Sequence, residues 1–203
     1  MNVIFFWLLA AVVVILTIAS YVIATFGLTG FWGAPFVATP ERIARKMLRF
    51  VEFRPGEVIT DLGSGSGSIL IMAAKEFGAK KAIGYEINPI LVWISRLRAR
   101  WSGVADKVEI HRANFYKTDL EPTDVLALYL LAETMDKLQD CIKKTYRPET
   151  RIVSRGFQIP DVKPVKQLRS KLPWLFLYRV GDIGVQKRKL SAKLSALSSS
   201  KYV

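Results

Sequence analysis

The densest cluster of chemistry-bearing residues is Asp61-Leu62-Gly63-Ser64-Gly65-Ser66-Gly67, closing a short apolar run over residues 58 to 62. Glycines in such a loop permit positive φ and let a ligand approach the backbone. Residues 68 to 77 read as a helix, whose first amides and positive dipole end attract a carboxylate. Glu86 follows 19 positions after Gly67, at the end of a second apolar run over residues 81 to 85. An acid there accepts hydrogen bonds from both hydroxyls of an adenosyl ribose. A dinucleotide loop wants G-x-G-x-x-G/A, which would place its third small residue at Ser68; Gly67 gives G-x-G-x-G instead. A Walker loop is excluded, because no Gly-Lys-Ser/Thr is present.

These residues need a scaffold, and the pattern around them alternates strands with helices. Residues 107 to 111 read as a third strand and 124 to 130 as a fourth. A helix over 133 to 146 and a fifth strand over 151 to 154 follow. Residues 175 to 180, Gly181-Asp182 and 183 to 187 read as a closing hairpin. Asn88-Pro89 caps and opens a helix reaching Trp101, with Arg96, Arg98 and Arg100 on a solvated face. Upstream, Thr39 reads as an N-cap with Pro40 at the first helical position, and residues 40 to 53 as an amphipathic helix ended by Arg54-Pro55-Gly56. Such alternation predicts an α/β fold with a mostly parallel, Rossmann-like sheet and an antiparallel last strand.

The charges are unevenly placed. No charged side chain occurs from Met1 to Pro40, and all 47 (30 basic, 17 acidic) lie beyond. The uncharged leader holds an apolar run from residue 3 to 25, long enough to cross a bilayer core of about 30 Å. It is longer than a signal-peptide core and has no Lys or Arg before it. We therefore expect a transmembrane anchor over residues 1 to 26, a connector over 27 to 39, a catalytic domain over 40 to 190 and a basic, Ser-rich tail over 191 to 203. Arg42, Arg45, Lys46 and Arg49 flank the span on its carboxyl side, which by the positive-inside rule puts the domain in the cytoplasm. The lone Cys141 suits a reducing compartment and excludes an internal disulfide. The net charge of +13 suggests an acidic partner, either anionic lipid or nucleic acid.

Strand, D-x-G-x-G-x-G, helix, strand and Glu86 together resemble the class I S-adenosylmethionine-dependent methyltransferases. More narrowly, the chain is similar to the protein-lysine methyltransferases acting on the ATP synthase c subunit and the adenine nucleotide translocase, with their prokaryotic relatives. The matching stretches are Pro35-Phe36-Val37-Ala38-Thr39, DLGSGSGSILIMAAK, GYEINPILVWISRLRA, Asn114-Phe115-Tyr116-Lys117 and RIVSRGFQIP. Glu-hydrophobic-Asn-Pro followed by Leu-Val-Trp is the most specific of them. The resemblance implies S-adenosyl-L-methionine as cofactor. Asp61, Gly63, Ser64, Gly65 and Gly67 would then hold its methionyl end, Glu86 its ribose, and Ile87, Asn114 and Phe115 its adenine. Ser66 and Asn114 replace acids common in the family, and Tyr129-Leu130-Leu131-Ala132 replaces a Pro-x-Met-Met-like stretch.

The resemblance also implies transfer to a lysine of a membrane or membrane-associated protein. Phe36, Thr39 and Phe157 are the channel candidates, and Tyr129 the candidate that orients the amine. A lysine must arrive deprotonated, and an apolar channel favours the neutral amine. No metal is needed. The rival readings are a lipid or small-molecule methyltransferase and a non-catalytic cofactor-binding membrane protein. Nucleic acid is not expected as substrate, because no Asn/Asp-Pro-Pro-Tyr/Phe stretch follows the fourth strand.

Overall fold

The computed structural model describes residues 3–32, 37–169 and 173–184, with side chains in the first stretch from 3 to 21. The chain divides into two compact units, residues 1–37 and 38–203.

Among its described residues the first unit holds one helix, α1 (Val3–Trp32). Within it, Val3–Tyr21 is long and apolar enough to cross a membrane, by length and composition, and none of that span is buried. A signal sequence near an amino terminus passes the same test. The helix continues through residues 27 to 32, which the sequence suggested as connector. Gly27 and Gly30 each cost a helix only about 1 kcal/mol, and no Pro intervenes before Pro35.

The second unit begins with α2 (Glu41–Phe50), whose inner side buries Ala44, Met47, Leu48 and Phe50. Pro40 takes the N-cap position and its carbonyl accepts from the amides of Ile43 and Ala44. Thr39 caps nothing; its hydroxyl accepts from Arg155 at 2.8 Å. The helix also stops earlier than the pattern suggested, because Glu52 turns to φ +56° and Arg151 donates to the carbonyls of Val51 and Glu52 at 2.8 Å each.

Strands and helices then alternate: β1 (Val58–Leu62), α3 (Ser68–Glu76), β2 (Lys81–Glu86), α4 (Pro89–Trp101), β3 (Val108–Arg112), β4 (Val125–Leu128), α5 (Ala132–Thr145), β5 (Arg151–Arg155), β6 (Lys166–Leu168) and β7 (Leu175–Arg179). The sheet runs β3-β2-β1-β4-β5-β7-β6. Its first five strands are parallel and the last two pairings antiparallel. Residues of α2, α3 and α4 pack with one core cluster and those of α5 with the other, so β1 and β4 are buried along nearly their whole length.

The closing hairpin differs from expectation. β7 pairs with β6, which precedes it. After β7 the amides of Val180 and Gly181 donate to Thr150 and Pro148, which draws the chain into a short 3-10 turn, Val180–Asp182, instead of a returning strand. Residues 185 to 187 of the expected hairpin, and the tail over 191 to 203, lie outside the described residues. The strand order reverses direction around β1 and β4. A ligand crevice in an open α/β sheet forms at that switch point, beyond the carboxyl ends of the strands.

Candidate active site

The loop after β1 is folded by its own backbone. Gly63 and Ser64 donate to the carbonyl of Tyr85 at 2.8 and 3.1 Å, and Gly67 donates to Ser64 at 2.9 Å. Gly67, at φ +75°, opens α3; a Cβ there would also lie 3.1 Å from that of Ser95. The first bond within α3 runs from the Ile71 amide to Gly67, so the amides of residues 68 to 70 lie at the open amino end of the helix. Ser64 is turned inward. Its amide and carbonyl serve the loop, and its hydroxyl is buried against Gly84, where an added Cβ would fall 2.6 Å away. Its part is in shaping the loop.

Glu86, 8% exposed, ties the loop to the next element. One carboxylate oxygen accepts from the Gly65 amide at 2.8 Å, the other from the Asn88 amide at 2.9 Å. Asn88 caps α4 by accepting from Ile90 at 2.9 Å, with Pro89 in the first turn. Each carboxylate oxygen keeps acceptor capacity for a ligand hydroxyl. Asp61, 4% exposed, shares this crevice. Burial, and then the negative charge of Glu86, push its carboxyl up from 3.8 to about 7. A buried acid in that state gains from an incoming cation.

Two further contributors were not read from sequence as such. Arg98 was expected on a solvated face, yet one guanidinium nitrogen donates to the Ser66 carbonyl at 2.7 Å, the Ser66 hydroxyl at 2.9 Å and the Ser68 hydroxyl at 3.1 Å. Arg96 likewise donates to the Ile110 carbonyl. Arg98 reaches inward and Arg96 stays exposed, each on a flank of α4 where a long side chain finds a carbonyl beside the helix. The second contributor is Gly84, whose missing side chain leaves room for Ser64, Leu70 and Ile110.

The Ala113 amide donates to the Glu86 carbonyl, which brings Asn114 and Phe115 beside the crevice. Asn114 accepts from the Tyr116 amide at 3.0 Å. Phe115 is half-buried, its ring centroid 4.8 Å from that of Tyr116, and Ile87 is exposed. On the other side, Leu130 would touch a Cβ added to Gly63 at 3.3 Å, so the segment after β4 abuts the loop. There the Arg155 guanidinium lies over the Tyr129 ring, 4.1 Å from its centroid, and donates to Thr39. Phe157 is exposed, and its carbonyl accepts from Ser154 at 2.6 Å. The structure therefore joins Thr39, Tyr129 and Arg155 directly. Phe36 lies outside the described residues.

Among the described residues, metal-ligating types meet in one place, Glu109, His111 and Glu121. The Lys81 ammonium already sits 3.1 Å from Glu109 and 2.7 Å from Glu121. It supplies the positive charge a metal would bring.

A solved RNA methyltransferase from Salinibacter ruber, in complex with S-adenosyl-L-homocysteine, superposes with a TM-score of 0.69 at 32% identity, covering 71% of this chain and 94% of that one. A protein-lysine N-methyltransferase of Saccharolobus islandicus is 32% identical over 152 residues, 73% of this chain and 94% of its own length. The adenine nucleotide translocase lysine N-methyltransferase of Mus musculus is 30% identical over 166 residues, 82% of this chain and 72% of its own. The fold is that of a class I S-adenosylmethionine-dependent methyltransferase, with S-adenosylmethionine as its cofactor. With residues 61–166 matching the ANTKMT methyltransferase domain, the chain belongs to that protein-lysine methyltransferase family.

The residues present fit this cofactor. A buried Asp61 that gives up its proton to an incoming cation suits the methionyl ammonium, the open start of α3 suits its carboxylate, and Glu86 suits a diol.

Proposed function

We propose that the chain methylates the ε-amine of a lysine on a membrane or membrane-associated protein, from a catalytic domain tethered by α1 on the cytoplasmic side. The carrying observation is the Glu86 bridge between Gly65 and Asn88 beside buried Asp61. It occurs in a chain similar to an enzyme named for a translocase lysine. The apolar span of α1 and the basic flank beyond it support the tether and its orientation. A tether raises the local concentration of membrane substrates without adding a contact.

When bound, the cofactor supplies a methyl group already activated by its sulfonium, so the protein's work is binding, alignment and control of protons. Asp61 and the amides opening α3 hold the methionyl end, Glu86 the ribose, and Ile87, Asn114 and Phe115 the adenine. Tyr129, with Thr39 and Phe157, lines the approach of the target lysine. Arg155 positions Tyr129 and places a fixed positive charge behind its ring. A like charge disfavours the ammonium and favours the neutral amine that the transfer requires.

Membranes lacking the activity, incubated with the full chain and methyl-labelled cofactor, test the reading. Mass spectrometry should find the label on lysines of membrane proteins. Label confined to lipid, RNA or small molecules would overturn the substrate class. An RNA base is disfavoured because β4 continues into Leu128-Tyr129-Leu130-Leu131, where the Tyr129 hydroxyl is the single polar side-chain group.

A further inference from the structure

Helix α4 buries Leu91, Val92, Ser95 and Ala99 against the sheet. Its solvent side carries Trp93, Arg100 and Trp101, with Arg96 on the flank beside them, all exposed. Trp93 is 65% exposed and Trp101 78%, which together leaves roughly 300 Å² of aromatic surface in water. No Asp or Glu occurs between Pro89 and Trp101. Arg96 is held at the helix edge by its bonds to Ile110. A shallow cleft of about 310 Å³ beside it is lined by Arg96, Arg100, Glu109 and His111 among others. Glu109 there is already paired with Lys81.

Indoles and guanidiniums on one outward stripe, with no acid between them, match the boundary between acyl chains and headgroups. There an indole meets both environments and a guanidinium meets phosphate. The stripe runs along the flank of the domain, and Trp93 and Trp101 are about 12 Å apart along the helix axis. It lies on a convex helix; single-stranded nucleic acid favours a basic groove with stacking platforms.

We propose that the outward stripe of α4 docks the catalytic domain onto the anionic headgroup surface of a bilayer. The partner follows from charge complementarity in a chain of net charge +13 and from the bilayer-length apolar helix the same chain carries. The proposal deepens the membrane-tethered reading above. The amino end of α4 adjoins Asn88 and Glu86, so a helix lying flat on the surface brings the cofactor crevice to within one helix length of the headgroups. That suits lysines exposed just outside the hydrocarbon layer.

Residues 38–203 form their own compact unit, and the Saccharolobus relative is almost wholly this domain, so the fragment can be tested without α1. It is sedimented with phosphatidylcholine vesicles, with and without phosphatidylglycerol. The wild-type fragment should bind the anionic vesicles, and brominated lipid should quench its tryptophan emission. Arg96→Gln with Arg100→Gln should weaken partition by roughly 30-fold, at about one headgroup contact per arginine. Trp93→Ala with Trp101→Ala should weaken it by ~10-fold or more. Cofactor binding, followed by calorimetry, should remain unchanged in both variants and reports that they fold. Unchanged partition in both, or loss of binding to a single-stranded RNA oligonucleotide in place of vesicles, would overturn the docking surface. Neither outcome touches the lysine assay or the span of α1, so the two readings fail separately.

Discussion

Replacing Asp61 by Asn should stabilise the cofactor-free domain and cripple its cofactor binding, and the two effects share one cause. The Asp61 carboxyl is pushed up from 3.8 to about 7 by burial and by Glu86. Between those values the folded chain holds a proton that the unfolded chain has released, so stability falls as pH rises through that window and the penalty is complete above pH 7. Roughly 3 pKa units at about 1.36 kcal/mol each set an upper limit on the order of 4 kcal/mol. Thermal melts of the 38–203 fragment should show Asp61→Asn gaining on wild type between pH 5 and pH 8, by roughly 5 °C or more for a domain of this size. A ligand ammonium relieves the same penalty. S-adenosylhomocysteine binding below pH 7 should therefore release a proton, seen as a dependence of calorimetric heat on buffer ionisation. The Asn variant should lose that dependence and bind roughly 10- to 150-fold more weakly, the worth of one charged hydrogen bond. The reasoning fails if Asp61→Asn is equally destabilised at pH 5 and pH 8 and the heat is independent of buffer.

Other residues make sharper local tests. Arg98→Ala strips the Ser66 carbonyl of its donor and should weaken S-adenosylhomocysteine binding ~5- to 30-fold, with the melting temperature lowered by a few degrees. Gly84→Ala puts a methyl 2.6 Å from the Ser64 hydroxyl and 2.7 Å from Leu70; overpacking should cost about 1–3 kcal/mol in denaturant unfolding. Arg155→Met removes the charge beside Tyr129. The limb of the pH–rate profile set by the target lysine should then move to higher pH by about one unit, while Arg155→Lys keeps it in place. A uniform loss of rate at every pH would make Arg155 merely structural.

The sequence carried the fold wherever local signals agreed. Asn88-Pro89, a cap followed by a first-turn proline, marked the start of α4 correctly, and the glycine loop marked the end of β1. It misled where a distant partner decided the outcome. Thr39 has the chemistry of a cap, but Pro40 takes that place and Arg155, 116 positions away, takes the hydroxyl. The chain turns away after β7 because Thr150 and Pro148 capture the residues that follow it. The site was legible in the same uneven way. Asp61, Gly67 and Glu86 stood out because residue type and spacing fix their places at strand ends. Arg98 did not, since a helix flank of three alternating arginines looks solvated until the carbonyl of Ser66 is seen beneath it. Gly84, inside a strand, signals only that something approaches closely.

The most direct test is calorimetric titration of S-adenosylhomocysteine into the 38–203 fragment carrying Glu86→Gln. The amide keeps the shape of the side chain, and one oxygen for the loop, but removes the charge that accepts from a diol. Melting should fall by a few degrees, because the amide NH2 faces one of the two backbone N–H groups that the carboxylate accepts from, and binding should weaken at least ~50-fold, the loss of two hydrogen bonds to a charged acceptor. Equal affinity for wild type and variant would mean that no ribose rests on Glu86, and the crevice beyond β1 and β2 would not be the cofactor site.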